Sequence, residues 1–425
     1  MEIRPFRGWR YTPGDISPFI APPYDILDAA DKAALLARSG NNIVAADLPH
    51  VPPKELGPAE KYEAAAALLA RWKSTGVMRQ DARPAVYVYE QSYTWAGKTY
   101  CRRAMLAGVR ATDFGKDVIP HEHTFAGPKA DRLKLTECTG MQLSPIFGFY
   151  NDPRGQVGEV LARAAGGAPA ATATLAGVQE KLWVLDDPAA LATLTAALKN
   201  EPVFIADGHH RYTTAMNYAK ALRQAGAIDE DHETNFVMFA LVARTDPGLL
   251  ILPTHRLVAG LTREFTFAGL RAALGNSFEA QPIDAGKADL SDADAFLKPF
   301  GPAAMAVLDG KDVWALRLTD PAAMKAVAPN ECDAWRALDV SILQELVIDR
   351  GLSAWKGADF TVTYTPDGRK AAAAVRSGEA RLAFCLQGTP LSAVETIARA
   401  GATMPHKSTY FYPKLATGIV LKPIR

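Results

Sequence analysis

Between residues 207 and 211 the chain reads Asp-Gly-His-His-Arg, an acid, a glycine and three nitrogen bases with no apolar residue among them. Such a set can grip an anion. Arg211 can fork onto two phosphate oxygens, His209 and His210 can hold or move protons, and Gly208 lets the backbone come close to a ligand. Asp207 is a carboxylate of the kind that reaches magnesium beside phosphates. A second dense group lies at 120–134, PHEHTFAGPKADRLK, which carries His121, Glu122, His123, Lys129, Asp131 and Arg132. In extended backbone His121 and His123 point to one face and Glu122 to the other, so the segment reads either as a metal-ligand pair or as a general base flanked by donors. The competing reading is a solvated loop with ordinary helix-start charges. Smaller groups are Asp25 behind Pro22-Pro23-Tyr24, His255-Arg256 behind Pro253-Thr254, and His406, Lys407, Ser408 and Lys414 in an aromatic-rich tail. Six of the eight histidines fall in four of these clusters, which suggests one convergent anionic site.

Positioning these groups requires particular elements. Residues 203–206 are a short apolar run with two β-branched residues, a buried strand, and from Tyr212 onward apolar residues recur at helical spacing. The 207–211 cluster therefore sits at a strand-to-helix turn, where unpaired N–H groups and the positive end of the helix dipole favour phosphate. Residues 85–111 alternate around Ala96-Gly97-Lys98, a β-hairpin, and 29–38 and 60–74 read as helices. Further strands are expected at 181–185 and 235–243, with a helix at 188–198 between them. The Ala, Gly, Pro and Thr-rich 164–177 reads as a flexible surface loop. Toward the end, 373–376 and 380–387 read as strands and 391–400 as a helix. Asp25 is either held at a site edge by its two prolines or caps the helix that follows. His255 could equally be a core or capping histidine.

With 425 residues the chain exceeds one ordinary core, and the composition is that of a globular protein of mixed α/β (α+β) class. We divide it into an N-terminal segment, 1–84, contributing to the site edge, a phosphate-binding core, 85–260, and a C-terminal α+β domain, 261–425, whose tail closes the site. Forty-seven basic residues against 46 acidic ones give a net charge of +1, which supplies no drive toward nucleic acid or an anionic membrane. No apolar run approaches a bilayer span and the start has no signal-like apolar region, so a cytoplasmic location is expected. The four cysteines are scattered without a CxxC pair, which argues against a disulfide framework or a thiolate zinc site. The sequence leaves self-association open.

The turn Gly208-His209-His210-Arg211-Tyr212 resembles the phosphate-binding turn of the ParB/sulfiredoxin fold, whose members include nucleotide switches of partition complexes, ATP-using sulfiredoxins and kinases of free serine. That resemblance implies a ParB/sulfiredoxin-like nucleotide-binding core. The wider set of Ala21-Pro22-Pro23-Tyr24-Asp25, His121-Glu122, Gly127-Pro128-Lys129, the 207–212 turn, Pro253-Thr254-His255-Arg256 and His406-Lys407-Ser408-Thr409-Tyr410 resembles a bacterial and archaeal family catalogued as a domain of unknown function, family ten-fifteen. In that family the position of His123 usually holds another basic residue, which argues against a metal role for it. Kinase-like chemistry follows from the shared fold only by analogy.

The expected activity is a magnesium-assisted phosphotransferase that moves a phosphoryl group between ATP or ADP and a small hydroxyl substrate, with free serine or phosphoserine the best single guess. Gly208, His209, His210 and Arg211 would hold the phosphates. Glu122 would accept the hydroxyl proton, with His121, Asp207 and His210 beside it, and Asp25 or Asp207 would reach magnesium. Lys129, Arg132, His255, Arg256, His406 and Lys407 would bind the substrate. One alternative is a metal-dependent hydrolase or phosphatase with His121, His209, His210 and Asp207 on zinc or manganese. Another is a nucleotide-binding switch without turnover.

Overall fold

A computed structural model describes residues 1–124 and 126–425 as a mixed α+β chain in two compact units, residues 1–249 with 413–425 and residues 250–412. In the first unit the expected hairpin forms from the long strands Val86–Trp95 and Lys98–Arg110, turning at Ala96 and Gly97, both at positive φ. It anchors a nine-stranded mixed sheet. Outward from Lys98–Arg110 come Phe236–Ala243, then Ile146–Tyr150, then Val203–Asp207, then Val118–Ile119. Val118–Ile119 runs parallel to Val203–Asp207, so the chain leaves both strands at the same edge of the sheet. That shared direction brings the 120–122 segment and the 207–211 turn together although some 85 residues separate them.

Alternating Val, Ile, Leu and Phe side chains of these strands make the core, against which the helices Gln156–Ala164 and Pro188–Leu198 and the Tyr212 ring pack. The helices expected at 29–38, 60–74 and 188–198 form as Ala29–Arg38, Ala59–Ser74 and Pro188–Leu198. The 164–177 stretch is not all loop: Ala171–Leu175 alternates buried and exposed residues and pairs with Val178–Leu185 across Ala176-Gly177. Its alanines and threonines fill strand positions, and the composition concealed the period of two.

The second unit is a six-stranded antiparallel sheet in the order Phe278–Ile283, Asp312–Leu318, Met305–Asp309, Leu382–Cys385, His255–Leu261, Lys356–Thr365. Residues 373–376, expected as a strand, belong instead to the helix Gly368–Ser377, whose start is capped by Asp367 accepting from the Arg369 and Lys370 N–H groups. Four consecutive alanines favour helix, and a cap four residues ahead of the first of them settles it. Among the described residues no helix is long and apolar enough to cross a membrane.

Candidate functional site

Gly208 ends the Val203–Asp207 strand at a φ of 96°, and the helix His209–Gln224 starts on the next residue, three earlier than the apolar spacing predicts. The first turn of a helix needs no apolar face when its outward groups serve a ligand, so periodicity misses it. The first intrahelical bond runs from Tyr212 N–H to the Gly208 carbonyl (2.9 Å), which leaves the N–H groups ahead of it without helical partners. The φ of Gly208 is one that side chains rarely adopt, and a Cβ there would lie 2.9 Å from Arg211 Nη2 and push that guanidinium aside.

Arg211 Nη1 donates to Ser144 Oγ (3.1 Å) and to the Pro145 carbonyl (2.6 Å), just before the neighbouring Ile146–Tyr150 strand begins. Its Nη2 lies 3.6 Å from Asp207 Oδ2, while Lys414 Nζ reaches the other oxygen of Asp207 at 3.4 Å. Asp207 is thus flanked by two cations at the mouth of the helix. Lys414 carried no assigned role in the sequence reading. Its only signal is a basic residue amid aromatic and proline residues of the tail, 207 positions from its partner.

The histidines divide. His121 is buried and does not share a face with His123, which is exposed. The 120–124 segment is not a strand, so the alternation that would pair them does not apply. His121 Nδ1 lies 2.8 Å from the Ile205 carbonyl and therefore carries a proton, and the His121 N–H donates to His209 Nε2 (3.2 Å). His209 must then hold its own proton on Nδ1, which lies 3.9 Å from Glu122 Oε2. The two rings meet edge to face with centroids 4.7 Å apart. Burial pushes the His121 imidazolium down to about 4 and His209 lower than an ordinary histidine, so both are neutral at physiological pH. Positive charge at the turn comes from Arg211, Lys414 and the helix dipole. His210, next along, is half-buried.

The residues of the other first-unit clusters lie on other elements. Asp25 is half-exposed in the short 3-10 turn Tyr24–Ile26. Lys129 and Arg132 lie on the helix Ala126–Thr139. Arg132 is buried, spans Asp131 (2.7 Å) and Asp47 (3.2 Å), and stacks on the Tyr24 ring at 3.7 Å. Asp47 escaped the sequence reading, although an acid at the end of the apolar 43–46 run is a recognisable signal.

His255, Arg256, His406 and Lys407 belong to the second unit. His255 Nδ1 accepts from the Leu386 N–H (3.1 Å), and burial lowers its pKa to about 4. Arg256 donates to the carbonyls of Thr254, His406 (3.3 Å) and Lys407 (3.2 Å), and its guanidinium lies 5.5 Å from the Tyr364 ring centre. His406 packs edge to face on the same ring, and both His406 and Lys407 are exposed.

A buried polar network holds the tail that delivers Lys414. Arg102 donates to Gln91 Oε1 and to the Pro413 carbonyl (2.6 Å), and Gln91 Nε2 donates to the Lys414 carbonyl (3.2 Å) and to Glu180 Oε1 (3.1 Å). Burial raises the Glu180 carboxyl from 4.5 to about 7. A raised acid pKa means that the fold retains a proton the unfolded chain has lost, so stability falls as pH rises from 4.5 through 7. Glu180→Gln mimics the protonated form. It should raise the unfolding free energy at pH 8 by about 3 kcal/mol and leave it nearly unchanged at pH 4. Equal effects in urea melts at the two pH values would sink this assignment.

Among the described residues no three His, Cys, Asp or Glu side chains gather into a metal-holding group. The set proposed for zinc or manganese forms no such group, and His209 Nε2 is already taken by the His121 N–H. A magnesium ion shared with phosphates needs only one or two carboxylates, and Asp207 would hold one only by giving up Arg211 or Lys414, its present partners.

A family model described as "Protein of unknown function (DUF1015)" matches residues 3–341. No curated protein matches the chain. Solved structures similar to it include a free serine kinase mutant in complex with ADP, at 12% identity, a TM-score of 0.35 and coverage of 69% of this chain and 83% of the other. Another is C-terminally truncated SbnI from Staphylococcus aureus, at 11% identity, a TM-score of 0.36 and coverage of 73% and 85%. A third is a conserved hypothetical protein from Pyrococcus furiosus, at 15% identity, a TM-score of 0.33 and coverage of 70% and 90%.

Proposed function

The chain belongs to that family, whose description assigns no activity, and from the geometry of its own site we propose that it is a phosphotransferase acting between a nucleotide and a small hydroxyl-bearing molecule. ATP or ADP is the donor and free serine the foremost acceptor. The observation that carries this reading is the turn itself: Gly208 at positive φ, three polar residues in the first helical turn, and Arg211 and Lys414 on either side of Asp207. Phosphoryl transfer asks a protein mainly for positioning and charge neutralisation, and this turn has the groups for both.

In the proposed step the acceptor oxygen attacks the terminal phosphorus, the bridging P–O bond breaks, and the shortened nucleotide leaves with that oxygen. The hydroxyl proton passes to Glu122, which lies beside the His209 ring. Backbone N–H groups at 208–211 and the Arg211 guanidinium receive the phosphate oxygens, and His210 stands in the same turn as a further donor. Magnesium, when bound, supplies charge neutralisation between the phosphates, with Asp207 and Asp25 as its candidate ligands. Lys129 and Arg132, both on the helix Ala126–Thr139, are candidates for the acceptor's carboxylate.

The experiment is a melting-temperature screen of the full chain with ATP, ADP, serine and phosphoserine, with and without magnesium, followed by transfer of label from the terminal phosphate. A native-state ligand at a hundred times its Kd adds about 2.7 kcal/mol, which is easily read as a rise in Tm. If no nucleotide raises the Tm, the reading fails at its first step. If nucleotide binds but no label leaves it for any hydroxyl compound, the nucleotide-switch alternative replaces it.

A further inference from the structure

Arg102, Gln91 and Glu180 stand side by side on the neighbouring strands Lys98–Arg110, Val86–Trp95 and Val178–Leu185, and all three are buried. A row of charged and polar side chains inside a core is a cost that apolar residues of the same size would not carry. What the row holds is the tail. Arg102 can only donate, so its bond to Gln91 Oε1 fixes the amide with Nε2 facing the other way. The two Nε2 protons then go to Glu180 Oε1 (3.1 Å) and to the Lys414 carbonyl (3.2 Å), while Arg102 also donates to the Pro413 carbonyl (2.6 Å). Beyond Lys414 the tail is fixed again. The Tyr89 hydroxyl accepts the Ala416 N–H (3.3 Å), and Thr417 exchanges backbone hydrogen bonds with Ala21 at 2.8 and 3.2 Å. From this pinned stretch the Lys414 side chain reaches Asp207, where its Nζ lies 3.4 Å from Oδ1 and Arg211 Nη2 lies 3.6 Å from Oδ2.

Both distances exceed the roughly 2.7 to 2.9 Å of a direct charged hydrogen bond, so either cation can turn to a stronger anion at small cost. The acids of the turn are Asp207 itself and Glu122, whose Oε2 is 3.9 Å from His209 Nδ1. Next to burial, the Lys414 charge is among the influences that keep His121 and His209 neutral, which places the ammonium within electrostatic reach of the whole turn. We propose that Lys414 binds phosphate oxygens of the nucleotide together with Arg211, and that Gln91 is the residue that positions it. This inference rests on the phosphotransfer reading and adds a ligand-contacting residue and its support to the same site. When phosphate arrives, Lys414 exchanges Asp207 Oδ1 for a phosphate oxygen. An ammonium on a flexible four-carbon stem loses more freedom on binding when its backbone is loose as well, and the Gln91 amide removes that second loss in advance.

The test is ADP binding to the full chain by calorimetry, in the wild type, Lys414→Met, Gln91→Met and the double variant, with urea melts as the check of folding. Lys414→Met should weaken ADP about tenfold or more, the range of one lost charge-assisted hydrogen bond, and Lys414→Arg should recover part of the loss. Gln91→Met should weaken ADP about threefold to tenfold while Lys414 is present and not at all once Lys414 is replaced, because a residue that acts through Lys414 then has nothing to act through. Losses that simply multiply in the double variant would overturn the role of Gln91. Because Gln91→Met strips a buried partner from Arg102 and Glu180 and could unfold the chain, Lys414→Met, which alters a partly exposed side chain, decides on its own whether Lys414 meets phosphate. ADP binding undiminished in Lys414→Met would overturn the proposal and leave the phosphotransfer reading standing, whereas a wild type that binds no ADP would end that reading and this inference with it.

Discussion

Replacing Arg211 by alanine is expected to lower kcat/KM for phosphoryl transfer about 30- to 1000-fold, roughly 2 to 4 kcal/mol of transition-state stabilisation. The size follows from its position. Arg211 is the cationic side chain of the proposed phosphate turn, its fork is already set by Ser144 and Pro145, and its neighbour His209 is neutral. Those same bonds give Arg211 a structural share, so the variant must be read two ways. Loss of the Pro145 and Ser144 hydrogen bonds should cost about 1 to 2 kcal/mol in a urea melt. That cost leaves a folded protein whose kinetics can be measured. Arg211→Lys separates charge from fork: it keeps the cation, cannot bridge two phosphate oxygens, and should recover only part of the rate. A folded Arg211→Ala protein with wild-type kcat/KM would remove Arg211 from the site.

What the sequence disclosed about this region follows from which signals are local. The strand at 203–206 was legible as a continuous apolar run and the helix after it by its period, and the 207–211 cluster because it interrupts two apolar patterns. The position of the 120–122 segment was not. It depends on a two-residue strand, Val118–Ile119, running parallel to one far along the chain, and two residues carry no period to read. His121 looked like half of a ligand pair with His123, yet the backbone there is irregular, and only the fold decides which of the two turns inward. Lys414 and Asp47 are harder still. One is brought to Asp207 by a tail returning from the end of the chain, and the other meets Arg132 across 85 residues. Conversely, residues 373–376 were misread because a buried face made of alanine looks the same in a strand and in an amphipathic helix until the Asp367 cap is noticed.

The second large effect is acid lability originating at the His121–His209 pair. Burial holds the His121 imidazolium near about 4 against an ordinary 6.5, and His209 shifts in the same direction. A depressed histidine pKa means that the unfolded chain gains a proton which the fold refuses, so the stabilisation is complete above pH 6.5 and is lost as pH falls from 6.5 toward 4. Between pH 7 and 4.5 this amounts to about 2 kcal/mol for His121 alone. Glu180 works in the opposite sense over the same interval, because its raised carboxyl stabilises the fold as pH drops. The whole-protein curve therefore hides the histidine contribution, and a local comparison is needed. His121→Asn keeps a side-chain N–H for the Ile205 carbonyl and removes the titrating group. At pH 7 the wild type should be the more stable of the two, for the better packing of its ring against His209. The gap should then shrink by about 2 kcal/mol on going to pH 4.5 and reverse where the ring packing is worth less than the proton. A gap that stays constant across this range would mean that His121 takes up its proton in the folded state as readily as in the unfolded one. The neutral tautomer from which the geometry of the turn was built would then be wrong.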